Sequence, residues 1–193
     1  MTDEISLKLK RHRRARPFVL SSSVKDLKKE IGVELPTDEV IKLISLSGGI
    51  ASLTFIKLVA DAEPIEELTA STLRIGEKQF QYLETLAKSK KLGKVRFFTS
   101  NMQANLDTRN AKYNYLSRFE NTCKKYNWNV LVVNNHSKII LMRTKSGHYV
   151  LETSSNLNEN PKIEQYSFEN NKELYDFYYG FFDKLEERVT ANG

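Results

Sequence analysis

The sequence of 193 residues has one cysteine, Cys123, only four prolines, and no long apolar run. A single cysteine excludes an internal disulfide and any cysteine-based zinc site. A membrane-spanning helix needs about 20 mostly apolar residues, so no membrane span is predicted. The first ten residues, MTDEISLKLK, are polar and charged. They predict no secretory signal and favour a cytoplasmic location.

The rest of the composition is that of a globular protein. Hydrophobic residues make up 40% of the chain and aromatic residues 10%. These fractions exclude a disordered or low-complexity chain. The length predicts one main domain that is large enough to bury a core.

Positive charge is concentrated near the N-terminus. The net charge is +6, and six cations lie between positions 8 and 16, which contain no acidic residue. Without them the chain has 24 basic and 24 acidic residues. A compact basic arm on a neutral body predicts contact with nucleic acid, with DNA favoured over RNA. An anionic membrane surface would attract the same arm, and a solvated terminus without a ligand is the other alternative. The predicted nucleic-acid-binding residues are Lys8, Lys10, Arg11, Arg13, Arg14 and Arg16.

Hydrophobic periodicity predicts an alternation of strands and helices. Residues 1–35 are interpreted as a basic extension that includes a small helix at 24–31, and residues 36–193 as the main domain. Thr37, followed by Glu39, predicts a capped helix over 37–47. The further predicted helices start at 52, 77, 111 and 173, and the predicted strands cover 65–73, 94–99, 130–133, 139–142, 148–153 and 165–168. This order predicts an α/β fold, a mixed β-sheet flanked by helices on both faces.

The most informative stretch is a hairpin within residues 128–165. Two β-rich runs flank a turn that ends in Gly147, which predicts a G1 bulge with Gly147 in the left-handed conformation. In that register Thr144 pairs with His148. His136 then lies opposite Asn156, and Lys138 lies opposite Ser154. Polar groups converge at the open end of the hairpin, where they can hold a phosphate.

These residues resemble the phospholipase D superfamily, whose pattern is H-x-K, a short hairpin, G-S-x-N and a downstream acid. The matching residues are His136-Ser137-Lys138, then Thr153-Ser154-Ser155-Asn156, then Glu164. The resemblance covers residues 48–188. The chain departs from the pattern twice, with Arg143 in place of the aspartate after the lysine and Thr153 in place of the glycine.

The resemblance implies a metal-independent phosphodiesterase, a nuclease that needs no cofactor. His136 would attack phosphorus and form a phosphohistidine, since histidine can take either protonation state near neutrality. Lys138 and Asn156 would hold nonbridging oxygens, with Ser154 as a helper. Glu164 would accept a hydrogen bond from the His136 ring. Because the chain has one copy of the motif, the second catalytic histidine would come from a partner subunit in a homodimer.

Several alternatives remain open at the level of sequence. His136 could be a locally bonded residue at a strand end, and Ser154 with Asn156 could cap a helix. Glu164 could be an ordinary surface acid, and Arg143 could contact phosphate or solvent. The main functional alternative is a catalytically inactive phospholipase D-like protein that binds nucleic acid. A lipid phosphodiesterase is disfavoured, because the chain has one motif and no predicted export signal.

Overall fold

The computed structural model describes residues 19–21, 35–45, 50–100, 116–158 and 162–191. The described helices are α1 (Ser52–Ala62), α2 (Glu77–Lys88), α3 (Leu116–Tyr126) and α4 (Lys172–Ala191). The described strands are β1 (Val19–Ser21), β2 (Val40–Ser45), β3 (Ile65–Ser71), β4 (Leu92–Thr99), β5 (Asn129–Val132), β6 (Ile139–Thr144), β7 (His148–Thr153) and β8 (Glu164–Asn170). None of the helices within these ranges combines the length and the apolar character that crossing a membrane requires. The predicted helix at 24–31 lies outside the described residues.

The strands form one mixed sheet in the order β1-β2-β8-β7-β6-β3-β4-β5. Strands β3, β4 and β5 are parallel neighbours, whereas β7 runs antiparallel to β6 on one side and to β8 on the other. Strand β1 belongs to the predicted extension and pairs in parallel with β2. The domain boundary at residue 35 stays a prediction.

Helices cover both faces of the sheet, as the alternation of strands and helices predicts. On β4 the neighbours Phe97 and Phe98 point to opposite faces, as successive residues of a strand do. Phe97 packs in the larger core, to which α1, α2 and α3 contribute their apolar faces. Phe98 packs in a second core with Phe182 of α4, their ring centroids 4.7 Å apart. The predicted α/β fold class is confirmed.

The predicted helix over residues 37–47 is wrong, because this segment contains strand β2. Ile41 and Leu43 are buried, whereas Lys42 and Ile44, which alternate with them, are exposed. That two-residue period is the period of a strand. The local capping pattern at Thr37 is outweighed by pairing along the whole length of β2 with β8.

The hairpin exists, but its predicted register is wrong by one residue. Arg143 rather than Thr144 lies opposite His148, and the backbone N–H of Thr144 donates to the oxygen of Gly147 at 2.9 Å. Gly147 does not have the left-handed φ of a G1 bulge. Its role is steric instead, because a Cβ atom there would lie 2.5 Å from the ring of Tyr149.

Candidate active site

The predicted site residues lie at one edge of the sheet. The C-terminal ends of the parallel strands β3, β4 and β5 meet there. Because β6 and β8 run antiparallel to their neighbours, their N-terminal ends reach the same edge, as does the C-terminal end of β7. His136 and Lys138 lie in the loop from β5 to β6, Ser154 and Asn156 follow β7, and Glu164 begins β8.

The loop that carries His136 is attached to the sheet through Asn135. The side-chain amide of Asn135 donates to the backbone oxygen of Phe98 and to the hydroxyl of Ser71, both at 2.9 Å. Its oxygen accepts from the backbone N–H of Ser137 at 2.9 Å and from the Ser137 hydroxyl at 2.8 Å. The first two contacts hold the loop against the ends of β3 and β4, and the other two fix its turn at Ser137. Asn135 was not predicted from the sequence, since an asparagine in a polar loop carries no signal of such a role.

His136 and Lys138 contact each other directly. The Lys138 ammonium nitrogen lies 3.2 Å from Nδ1 of His136 and donates to the His136 backbone oxygen at 2.7 Å. An ammonium group has only donors, so this contact favours the tautomer in which Nδ1 accepts and Nε2 carries the ring hydrogen. The imidazole is exposed at the mouth of the site. His136 is therefore accessible to a substrate, with its charged neighbour already beside it.

Glu164 and Ser154 join β8 to the end of β7. The Ser154 hydroxyl donates to a carboxylate oxygen of Glu164 and accepts from the backbone N–H of Gln165 at 3.0 Å. The exposed fraction of Glu164 is 6%, so the alternative of a surface acid is wrong. Burial lowers the pKa of Lys138, and the negative charge of Glu164 acts in the opposite direction. These contacts make Ser154 a positioning residue for Glu164, while the hydrogen bond from His136 to Glu164 stays a prediction.

Asn156 is held by its oxygen. Oδ1 of Asn156 accepts from the backbone N–H of Leu73 at 3.3 Å. Hydrogen bonds also hold the backbone on either side of Asn156. The Ser52 hydroxyl donates to the backbone oxygen of Ser155 at 3.2 Å, and the backbone N–H of Leu157 donates to the Thr72 hydroxyl at 2.9 Å. With its oxygen engaged, the Nδ2 group is the part of Asn156 that can donate to a phosphate.

Arg143 is remote from the site. It lies at the opposite end of β6 from Lys138, roughly 16 Å along a strand that rises about 3.3 Å per residue. Its guanidinium forms ion pairs with Glu66 and Glu67 of β3. The hydrogen bond to Glu67 is the largest contribution to the raised pKa of Arg143. Arg143 therefore ties β6 to β3 at the end of the strand that lies away from the site.

The described residues supply one histidine to this edge. His148 begins β7 at the opposite edge, where its ring packs on Tyr175 with centroids 5.1 Å apart. The cations of the predicted basic arm, between positions 8 and 16, lie outside the described residues. The edge thus brings together a nucleophilic ring, an ammonium donor, an amide donor and a buried carboxylate. These groups can bind a phosphate, and they include one group that can attack it as a nucleophile.

Comparison with known proteins shows the fold. No protein family and no curated protein sequence matches the chain. A polyphosphate kinase from Porphyromonas gingivalis aligns with a TM-score of 0.56 and 16% identity, over 77% of this chain and 24% of that one. A phosphatidylserine synthase from Haemophilus influenzae aligns with a TM-score of 0.52 and 13% identity, over 77% of this chain and 38% of that one.

The chain thus spans well under half the length of either structure, and at these identities the likeness concerns the fold alone. The mixed sheet with helices on both faces, which carries His136, Lys138, Ser154, Asn156 and Glu164 at one edge, is therefore an α/β fold that the chain shares with the aligned parts of both structures.

Proposed function

We propose that the protein is a metal-independent phosphodiesterase that cleaves nucleic acid through a phosphohistidine intermediate. The observation that carries this proposal is the contact of His136 with Lys138 at the sheet edge, with the Ser154–Glu164 pair on the next two strands. A structural histidine at a strand end would not need an ammonium, an amide donor and a buried carboxylate around it. Those groups match the needs of phosphoryl transfer, which are a nucleophile and donors for the charged oxygens.

The first step requires the Lys138 ammonium to leave the His136 ring. Attack on phosphorus needs a lone pair on Nε2, so the ring hydrogen must move to Nδ1. A bound phosphodiester would draw Lys138 onto a nonbridging oxygen and release Nδ1, which then donates to Glu164. Nδ2 of Asn156 would hold a second nonbridging oxygen. Substrate binding therefore produces the reactive tautomer.

The remaining steps need a second acid and a water molecule. As Nε2 forms its bond to phosphorus, the bond to the leaving oxygen breaks, and that oxygen takes a proton from a second histidine. A water molecule, deprotonated by the same histidine, then cleaves the phosphorus–nitrogen bond and regenerates His136. Because this edge holds one histidine among the described residues, the second is His136 of another copy in a homodimer.

Nucleic acid is the proposed substrate because of the six cations between positions 8 and 16. These cations would bind phosphates of the nucleic acid that are distant from the cleaved bond. DNA is proposed ahead of RNA.

The decisive experiment is cleavage of DNA and RNA in excess EDTA by the wild type and by His136→Ala. We expect metal-free cleavage by the wild type and a loss of at least about a hundredfold in the variant. His148→Ala is the matched control, because it removes a histidine from the opposite edge, and we expect near wild-type rates. Cleavage that requires Mg²⁺, or that survives His136→Ala, would rule out the mechanism.

One observation favours the second candidate, a protein that binds nucleic acid without cutting it. In the structure the Lys138 ammonium nitrogen lies 3.2 Å from Nδ1 of His136, and this contact favours the tautomer whose hydrogen is on Nε2, the nitrogen that would attack. If phosphate binding does not displace Lys138, the site binds and releases its ligand unchanged. Tight binding of oligonucleotides without any cleavage product would support this candidate.

A further inference from the structure

A cavity of about 800 Å³ extends from the candidate site across the sheet. That volume falls within the range of about 300–1,000 Å³ that is typical of ligand pockets. Helix α4 packs over β6 and β7, whereas the cavity reaches β8 and β2 on the same face. Its lining includes the site residue Lys138 at one end and Lys42 of β2 at the other.

The strand register defines the floor of this cavity. Ile139 pairs with Glu152, Glu152 with Ser167, and Ser167 with Lys42, so the four residues form one row across four strands. Three spacings of about 4.8 Å make the row roughly 14 Å long between Cα atoms. The Lys42 side chain extends along this row toward β8, and its ammonium donates to the Ser167 hydroxyl at 2.7 Å. The row thus leads from the H-x-K loop to a second ammonium group.

The charge of Lys42 is not neutralised within the described residues. Two other cations on this face have carboxylate partners, since Arg96 pairs with Asp183 and Glu186, and Arg143 with Glu66 and Glu67. The Lys42 ammonium has the Ser167 hydroxyl as its hydrogen-bond partner instead.

Glu152, the acid in the cavity lining, lies two strands away from Lys42 in this row. Its carboxylate accepts a hydrogen bond from Tyr178 of α4. Because the Ser167 oxygen accepts from Lys42, the hydroxyl hydrogen of Ser167 remains able to donate to a ligand. Lys42 and Ser167 together offer a positive charge and a neutral donor to an anion.

We propose that Lys42 and Ser167 form a second phosphate subsite, which binds a neighbouring phosphate of the nucleic-acid strand whose scissile phosphate lies at His136 and Lys138. The inference rests on the proposed function and gives the substrate a path across the face of β7, β8 and β2. The lining also includes Ile139 and Ile44, and the exposed fraction of Ile44 is 47%. Their apolar side chains offer a surface for the sugar and base of a single strand.

The test measures binding of a labelled single-stranded oligonucleotide by fluorescence anisotropy across a salt series. His136→Ala is the parent, so that no cleavage interferes. Adding Lys42→Met keeps the aliphatic stem and removes the charge, and one lost phosphate contact should reduce the log–log salt slope by about 0.7. Ser167→Ala should weaken binding and leave that slope nearly unchanged, because it removes a neutral donor.

Lys94→Met is the matched control, because Lys94 is exposed on β4 at the opposite end of that strand from the site. It should leave the slope unchanged. Equal slopes for the parent and for Lys42→Met would overturn the subsite, as would a parent that does not bind the oligonucleotide. Because binding is measured without cleavage, an inactive wild type would count against the proposed function and not against this subsite.

Binding to vesicles of phosphatidylglycerol tests whether the subsite receives the phosphate of a lipid headgroup instead. If Lys42→Met weakened vesicle binding and left oligonucleotide binding unchanged, the cavity would receive a lipid headgroup and the proposal would be wrong.

Discussion

The side-chain amide of Asn135 donates to the backbone oxygen of Phe98 at 2.9 Å, which fastens the loop before Lys138 to the end of β4. This contact connects the buried sheet to the most exposed part of the candidate site. It explains how His136 can be exposed and still have a defined position. Catalysis requires such precision, because a small displacement of a reacting group costs a large factor in rate.

Replacing Asn135 by alanine should therefore lower both the rate of cleavage and the stability of the fold. We expect kcat/KM to fall by about tenfold or more, and the free energy of unfolding to fall by roughly 1–2 kcal/mol for the lost hydrogen bonds. Asn134→Ala is the control, because Asn134 is an exposed neighbour in the same loop. Cleavage kinetics and urea unfolding measure the two effects. An equal loss of activity in both variants would show that Asn135 has no special part in positioning.

Lys138 should impose an alkaline limit on activity. Burial lowers its pKa, so the ammonium loses its proton at a lower pH than an ordinary lysine, whose pKa is about 10.4. The protonated form is the one that binds phosphate, so kcat/KM should fall as the pH rises through that lowered pKa. In Lys138→Arg any residual activity should lack this alkaline fall, because arginine stays charged. A profile of kcat/KM against pH for both proteins checks the assignment, and an identical alkaline fall in both would refute it.

Two glycines should respond to alanine in opposite ways. At Gly147 the new Cβ would lie 2.5 Å from the ring of Tyr149, which is 3% exposed and stacked on Phe168, so the ring cannot swing away. We expect Gly147→Ala to lower the free energy of unfolding by about 1–3 kcal/mol. At Gly180, inside α4, a Cβ would have no atom within 4 Å, and alanine should stabilise the helix by up to about 1 kcal/mol. Urea midpoints at a constant m-value measure both changes, and stabilisation by Gly147→Ala would refute the steric role.

Sequence patterns identified most of the fold because burial here follows simple periods. Helix α2 buries Phe80 and Leu83 on one side, and β7 begins and ends at the predicted residues. The prediction of a helix in place of β2 was wrong for a physical reason. The local sequence contains a helix-cap pattern, and it gives no sign that strand β8 will pair with these six residues. Only the tertiary context decides between the two.

The candidate site could be predicted as a set of residue types but not as a set of contacts. His136, Lys138 and Glu164 were identified from the resemblance of their motif to the phospholipase D pattern, and the structure brings them to one edge. Asn135 and Lys42 were not identified, because their importance depends on the ends of β3 and β4 and on the row across β8. Such relationships join residues 37 to 125 positions apart, beyond any local pattern.

The basic arm should govern the salt dependence of nucleic-acid binding. Deleting residues 8–16 removes six cations, and each lost phosphate contact should reduce the log–log salt slope by about 0.9 on duplex DNA. The measurement is again anisotropy in the His136→Ala background, with and without the deletion. Circular dichroism of both proteins controls for folding. If the deletion did not change the salt slope, the arm would not contact phosphate.

The last prediction concerns assembly. The mechanism uses two histidines, the described edge supplies His136 alone, and His148 lies at the other edge. Two copies should therefore associate about a twofold axis with their His136 rings facing one phosphate, and both copies should bury the same patch. Light scattering should report twice the mass of one chain.

Mixed dimers test whether both rings act together. Co-expressed wild-type and His136→Ala chains with different tags can be purified as a mixed species. Such a dimer should be almost inactive, because one ring would lack its acid or its nucleophile. The control is a mixed dimer of wild-type and His148→Ala chains, which should keep nearly full activity. If the wild-type and His136→Ala mixture retained half the wild-type rate, each chain would work alone, and the shared site would be wrong.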